Sequence, residues 1–280
     1  MRVRLAFAAT LATALCCPEH DNYQPSGRLR ERQLRNPTPV NSRAPASFDW
    51  SYQDSQDWGT IKEAYDACST GTQQSPIELH SSDGFALTHK PDFSHLCGTV
   101  RGSFYNWGHG PAFTIIHDER HFTSLPNVTF DGETVYLIGW HVHTPADHVI
   151  DGERTRAEMH FVFYDDQGAY RSVFGIRIDP GPTESGFFAQ LPQPYFGRNE
   201  TDKQTEIELD LRLAFQEVNF FKRFWTYEGS LTTPPCTEGD RWFVANKILR
   251  VSNTQMQDML RSGSYSSRAT QRRWEHNVNV

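Results

Sequence analysis

Very little in this sequence points to a membrane or to nucleic acid. Beyond Leu15 no stretch stays apolar for the eighteen or so residues that a membrane-crossing helix needs. Basic residues are the minority, 27 Lys and Arg against 34 Asp and Glu, and the net charge of −7 disfavours nucleic acid as a partner. No internal repeat is visible. Cysteine is scarce: of five, Cys16 and Cys17 end the apolar leader, leaving Cys68, Cys97 and Cys236 in the body. In an oxidising compartment two of those three pair and the third is buried or free, and their spacing does not say which two. Residues 18–47 are short of aliphatics and carry five prolines and five arginines, so they cannot bury enough surface to fold alone. They read as a disordered arm or propeptide.

What is present divides into a leader and a body. Arg2 and Arg4 precede an apolar run from Leu5 to Leu15 that includes the small residues Ala12 and Ala14, the layout of a secretory signal peptide over residues 1–17. The expected product is secreted, with no membrane span. The sequons at Asn127 and Asn199 suit a glycosylated exported protein. Residues 48–280 are long enough for one large domain, and 19 Phe, 10 Tyr and 7 Trp supply its core. Strand-like segments dominate this body. They recur around residues 99–116, 128–130, 134–143, 157–164, 171–178 and 241–250, with turns at Gly108, Gly110 and Asp131-Gly132. Residues 171–178 alternate as a half-buried strand does, 206–213 fit strand or helix, and 254–260 predict a helix capped by Asn253 or Thr254. The fold class is mainly β, a single domain on a large twisted, mostly antiparallel sheet with a few short helices.

Residues 139–164 concentrate the chemistry. His141 and His143 are two apart, so in a strand they project from one face, and His160 lies in the next strand-like run. If the runs pair antiparallel, three imidazoles converge. Three nitrogen ligands with a fourth position open suit a catalytic zinc ion, whereas a structural site would close the tetrahedron with a fourth side chain.

Five motifs then recur in order: Gln74-Ser75-Pro76-Ile77, Asn106-Trp107-Gly108-His109, His141-x-His143, Ala157-Glu158-Met159-His160, and residues 227–239 around Ser230-Leu231-Thr232-Thr233-Pro234-Pro235-Cys236. Together they resemble the α-class carbonic anhydrases, most of all the secreted microbial ones, over residues 48–280. The resemblance implies Zn2+ on His141, His143 and His160, and reversible hydration of carbon dioxide to bicarbonate and a proton through zinc-bound hydroxide. It implies Thr232 as the gatekeeper hydroxyl and Thr233 as a bicarbonate contact. His109 becomes the proton shuttle, and Tyr52 and Asn106 help order the relay waters. Glu158 becomes the partner of His160, and Leu231, Val162, Val173 and Trp242 the apolar wall for carbon dioxide. It also implies a Cys68–Cys236 disulfide bracing the threonine loop, with Cys97 unpaired, in a monomer or dimer.

Three positions depart from the family pattern. Gly139 stands where a Gln usually holds the first ligand. Asp147 replaces the Glu that takes the gatekeeper's proton and is one methylene shorter. Asp240 replaces a Val of the apolar wall, where a carboxylate is costly unless it points outward or finds a partner. Two other readings follow from the same residues: a zinc-binding but silent family member acting as a binding protein, and a cupin-type metal protein built on His141, His143, Asp147 and Gly152. The second expects a later Pro-x-Gly-x-x-His block, which the sequence does not contain.

Overall fold

A computed structural model of the chain describes residues 47–280 except 97, 119 and 120. The leader, the arm and Cys97 lie outside the described residues. In chain order the elements are α1 (Ala67–Thr70), β1 (Glu78–Leu79), β2 (Thr99–Asn106), β3 (Pro111–Ile115), β4 (Asn127–Phe130), β5 (Glu133–His143), β6 (Val149–Ile150), β7 (Ala157–Tyr164), β8 (Tyr170–Pro180), β9 (Gln204–Asp210), α2 (Arg212–Glu217), β10 (Phe224–Ser230), β11 (Glu238–Ala245), β12 (Leu249–Val251) and α3 (Asn253–Ser262).

Ten strands form one sheet in the order β10-β11-β8-β7-β5-β3-β2-β9, with β12 also on β8 and β4 also on β5. Most pairs are antiparallel, but β8 runs parallel to both β11 and β12, so the sheet is mixed. Strands β1 and β6 make a separate parallel pair. The turn at Asp131-Gly132 joins β4 to β5 with both residues at positive φ, as a tight hairpin requires.

Several sequence expectations are corrected. Strand β8 is not half-buried: residues 173–178 are buried without alternation, because the strand lies between β7 and β11 and both its faces are covered. Residues 206–213 divide, β9 ending at Asp210 and α2 beginning at Arg212. The cap of α3 is Ser252, whose side chain accepts from the Gln255 N–H while Gln255 reaches back in a capping box.

Alternation along the central strands separates two environments. Val142, Met159, Phe161, Phe163, Phe174 and Ile176 bury one face in a phenylalanine-rich core. The other face carries the histidines and a smaller cluster of Val173, Trp225, Tyr227, Trp242 and Val244 with Ile77 and Leu79. Among the described residues no helix is long and apolar enough to cross a membrane.

Candidate metal centre

The β5–β7 register sets His141 directly opposite His160, and His143 opposite Glu158. The three imidazoles offer ligand atoms that all lie within 4.8 Å of one another. Each ring's surroundings set its free nitrogen. Nδ1 of His143 donates to the Ser266 carbonyl at 2.6 Å, which leaves Nε2 buried with no partner. Nε2 of His160 donates to Glu158 Oε1 at 3.0 Å, so its Nδ1 is the free lone pair. His141 has no such anchor among the described residues; its ring packs edge-on against Trp107, centroids 5.3 Å apart. Burial lowers His141 well below the usual histidine range, with His143 and His160 adding to the effect, and it lowers His143 too. Neutral imidazoles are the ligating form, so this donor set fits a borderline-soft divalent ion.

Position 139 has no room for a side chain. The β5–β7 register shifts between Leu137 and Gly139, and β3 approaches so closely that a Cβ on Gly139 would lie 2.2 Å from the Phe113 carbonyl oxygen. Gly175, opposite His160 on β8, does a related job: a Cβ there would come within 2.7 Å of Glu158 Oε1.

Glu158 is wholly buried and holds three groups. It accepts from His148 Nδ1 at 2.6 Å, from the His148 backbone N–H at 2.8 Å, and from His160. Burial pushes its pKa up, but the charge and hydrogen bond of His148, with those of His160, outweigh this and hold it well below the usual carboxylate range. His148 Nε2 in turn lies 2.8 Å from the Tyr227 hydroxyl, which donates to Ser75 Oγ at 3.0 Å. His148 was not legible in the sequence as part of the site. His148, Glu158 and His160 form a second trio of close ligand atoms, but its hydrogen bonds are already made internally.

Asp147 is buried, with Oδ1 accepting from the Arg268 backbone N–H at 2.8 Å and Oδ2 3.5 Å from His143 Nδ1. Oδ2 has no hydrogen-bond partner, so the shorter side chain does not reach Thr232. Arg268 is itself fully buried, donating to the carbonyls of Ser75 and Cys68. Its segment, residues 264–271, is polar and aperiodic and gave no sequence signal.

The threonine loop follows β10. Its root is fixed by the Ser75 and Ser230 side chains, each accepting from the other's backbone N–H, and by the Trp242 indole N–H on the Ser230 carbonyl at 2.9 Å. Cys68 and Cys236 form the implied disulfide. Thr232 is buried, Thr233 and Leu231 half-buried. The Trp242 ring stands edge-on to His160 at 4.9 Å, and Val173 and Val162 face each other on β8 and β7.

His109 sits among the rings of Phe48, Trp50, Tyr52 and Trp107. Its Nδ1 is 2.8 Å from Ser264 Oγ and its Nε2 is buried without a partner. Burial, helped by nearby His143, pushes its pKa down to about 4. Tyr52 Oη is also buried and unpartnered. Asn106 is held by backbone groups. Its amide donates both N–H groups to the Phe196 and Ser262 carbonyls and accepts from the Gly108 N–H, so it braces the β2–β3 turn and keeps one lone pair of its oxygen for any relay water. Asp240 is 3% exposed, and Arg171 is the charge that opposes the effect of its burial.

A buried three-histidine pocket on one face of a large mixed sheet defines a candidate mononuclear metal centre with an open position. The family model for eukaryotic-type carbonic anhydrases matches residues 53–279, and the chain belongs to that family. It is 29% identical over 216 residues to a carbonic anhydrase of Klebsiella pneumoniae, covering 74% of this chain and 80% of the relative. Among solved structures it resembles the α-carbonic anhydrase of Thermovibrio ammonificans in complex with sulfanilamide (TM-score 0.68, 24% identity, 85% of this chain and 98% of that one). It also resembles the fungal enzyme of Aspergillus oryzae (TM-score 0.66, 25% identity, 77% and 89%).

Proposed function

We propose that this protein is a secreted, zinc-dependent carbonic anhydrase, with residues 1–17 as its export signal, 18–47 as an arm and 48–280 as the catalytic domain. The observation that carries the reading is the convergence of His141, His143 and His160, with His143 Nε2 buried and unpartnered at their centre. These three residues would hold the ion, each with a nitrogen to spare. When bound, zinc supplies Lewis acidity that lets water deprotonate near neutral pH, a chemistry for which carbonic anhydrases are themselves the standard example.

The chain's own residues do the rest. Ser266 and Glu158 hold His143 and His160 in the ligating tautomers. Val162, Val173, Leu231 and Trp242 form an apolar wall that receives carbon dioxide, which has no charge to grip. Thr232 orients the attacking water and Thr233 contacts bicarbonate. Asp147, fixed by the Arg268 N–H, lies beyond direct hydrogen-bond reach of Thr232. His109 takes the released proton at Nε2 while Nδ1 stays on Ser264; its depressed pKa means that it holds the proton only briefly. Tyr52 lines this relay. Asn199 is exposed and available to a glycan, whereas Asn127 is half-buried at the start of β4.

Stopped-flow carbon dioxide hydration by the zinc-loaded protein, with His143→Ala as control, tests the reading. Rapid turnover abolished in the control is expected. Stoichiometric zinc without turnover would turn the reading to the silent binding member.

A further inference from the structure

A cleft of about 350 Å³ lies where the segment after β5, the last turn of α3 and residues 263–265 meet. That is within the range of roughly 300–1,000 Å³ typical of small-molecule sites. None of its lining residues is a histidine of the cluster or a member of the apolar wall, and no carboxylate lines it. Two guanidinium groups do, those of Arg156 and Arg198. Arg198 is exposed and makes no hydrogen bond or ion pair with any described residue. Arg156 donates to Asp179 Oδ1 at 2.8 Å, but Asp179 also pairs with Arg250 at 3.6 Å, so one carboxylate is divided between two cations and positive charge is left over. The other side of the cleft is apolar. It is made by Pro145, Leu260 and Tyr265, and the last two are large side chains left exposed.

The cleft is preformed. Thr144 Oγ1 donates to the Ser264 carbonyl at 2.9 Å, and the Ser266 N–H donates to the Thr144 carbonyl at 2.9 Å, which ties the floor together. A Cβ on Gly263 would lie 2.6 Å from Thr144 Oγ1, so the two segments meet with no side chain between them. The backbone just before Arg198 is held as well: the Phe196 carbonyl accepts from Asn106, and the Gly197 N–H donates to Glu200 at 2.8 Å. An anion placed here meets guanidinium forks with no competing acid, the geometry that suits a planar carboxylate. A bare inorganic ion would leave the apolar side unmet, whereas an aromatic ring covers it and stacks on both tyrosine and guanidinium faces.

We propose that this cleft is a binding site for a small aromatic monocarboxylate, with the carboxylate on Arg198 and Arg156 and the ring against Tyr265, Leu260 and Pro145. The site uses none of the three histidines, so it stands apart from the enzyme reading.

Benzoate is the probe, followed by calorimetry and by amide NMR on the zinc-loaded protein and on the same protein stripped with a chelator. Saturable binding with a Kd on the order of 1–10 mM is expected. Amide shifts should concentrate at Thr144, Arg156, Arg198 and residues 263–265, and the affinity should be the same with and without zinc. Binding that appears only with zinc assigns benzoate to the metal and overturns the cleft. Acetate lacks the ring and benzamide lacks the charge, so each should bind about tenfold more weakly than benzoate. Arg198→Gln alters an exposed, unpaired side chain; it should leave the unfolding midpoint unchanged and weaken benzoate about tenfold. Tyr265→Ser should weaken benzoate several-fold and leave acetate as it was. Equal binding of benzamide, unchanged benzoate affinity in Arg198→Gln, or shifts that rise without saturation overturn the proposal. Failure of the protein to hydrate carbon dioxide would sink the enzyme reading alone and leave these outcomes as they stand.

Discussion

Oε1 of Glu158 lies 3.0 Å from Nε2 of His160, and the same oxygen is 2.6 Å from Nδ1 of His148. One buried carboxylate thus fixes a histidine of the cluster and is itself fixed by a second histidine outside it. Glu158→Gln places an amide where only acceptors are wanted, so zinc affinity should fall about 10- to 100-fold. Competition with a chromogenic chelator measures this; unchanged affinity would mean that His160 is oriented by packing against Trp242 alone.

Gly139→Gln restores the family's residue and should nonetheless harm the protein. The new Cβ meets the Phe113 carbonyl, and opening β3 from β5 should cost about 1–3 kcal/mol in denaturant unfolding. A variant as stable as wild type would show that the two strands separate freely there.

Replacing both Cys68 and Cys236 by Ser opens a link between residues 168 apart. The expected loss is roughly 3–5 kcal/mol, read from the urea midpoint under otherwise identical conditions. Turnover should fall as well, since Cys236 closes the threonine loop by donating its N–H to the Thr233 carbonyl.

Asp240 makes stability depend on pH with a definite sign. Its native pKa of about 7 exceeds the unfolded value near 3.9, so between those limits the native state binds the extra proton, and stability is lost as pH rises through that window. Asp240→Asn should be more stable than wild type at pH 8, by up to ~4 kcal/mol, with the gap closing by pH 4. Equal midpoints at both pH values would mean that the carboxyl is solvated in the folded protein.

His109 has the opposite sign. Its pKa is depressed to about 4, so the unfolded state takes up the proton first, and stability falls as pH drops from about 6.5 towards 4. His109→Phe should therefore be the more acid-stable protein. In dilute buffer it should hydrate carbon dioxide about 10- to 100-fold more slowly, with imidazole buffer restoring the rate.

The three-histidine cluster was legible because strand periodicity and pairing suffice to converge it: two residues of spacing put His141 and His143 on one face, and the next long strand brings His160 opposite. Glu158 followed from the same arithmetic. What was not legible has no period. His148 follows the end of β5 and earns its place through Tyr227, 79 residues on. Arg268 and Ser266 lie in an irregular segment whose contacts are all long-range. The three backbone groups that hold Asn106 lie 2, 90 and 156 residues away in sequence, and the two distant ones leave no local pattern. The parallel β8–β11 pairing, too, rests on a long crossover that local pattern does not reveal.

The two supports drawn from residues 264–268 set an order of events during synthesis. Ser266 reaches His143 across 123 residues and Arg268 reaches Asp147 across 121. At ordinary translation speeds His143 is made roughly 6–25 seconds before the Ser266 carbonyl that fixes it. A nascent chain thus carries all three imidazoles before the carbonyl that fixes the His143 ring has been made.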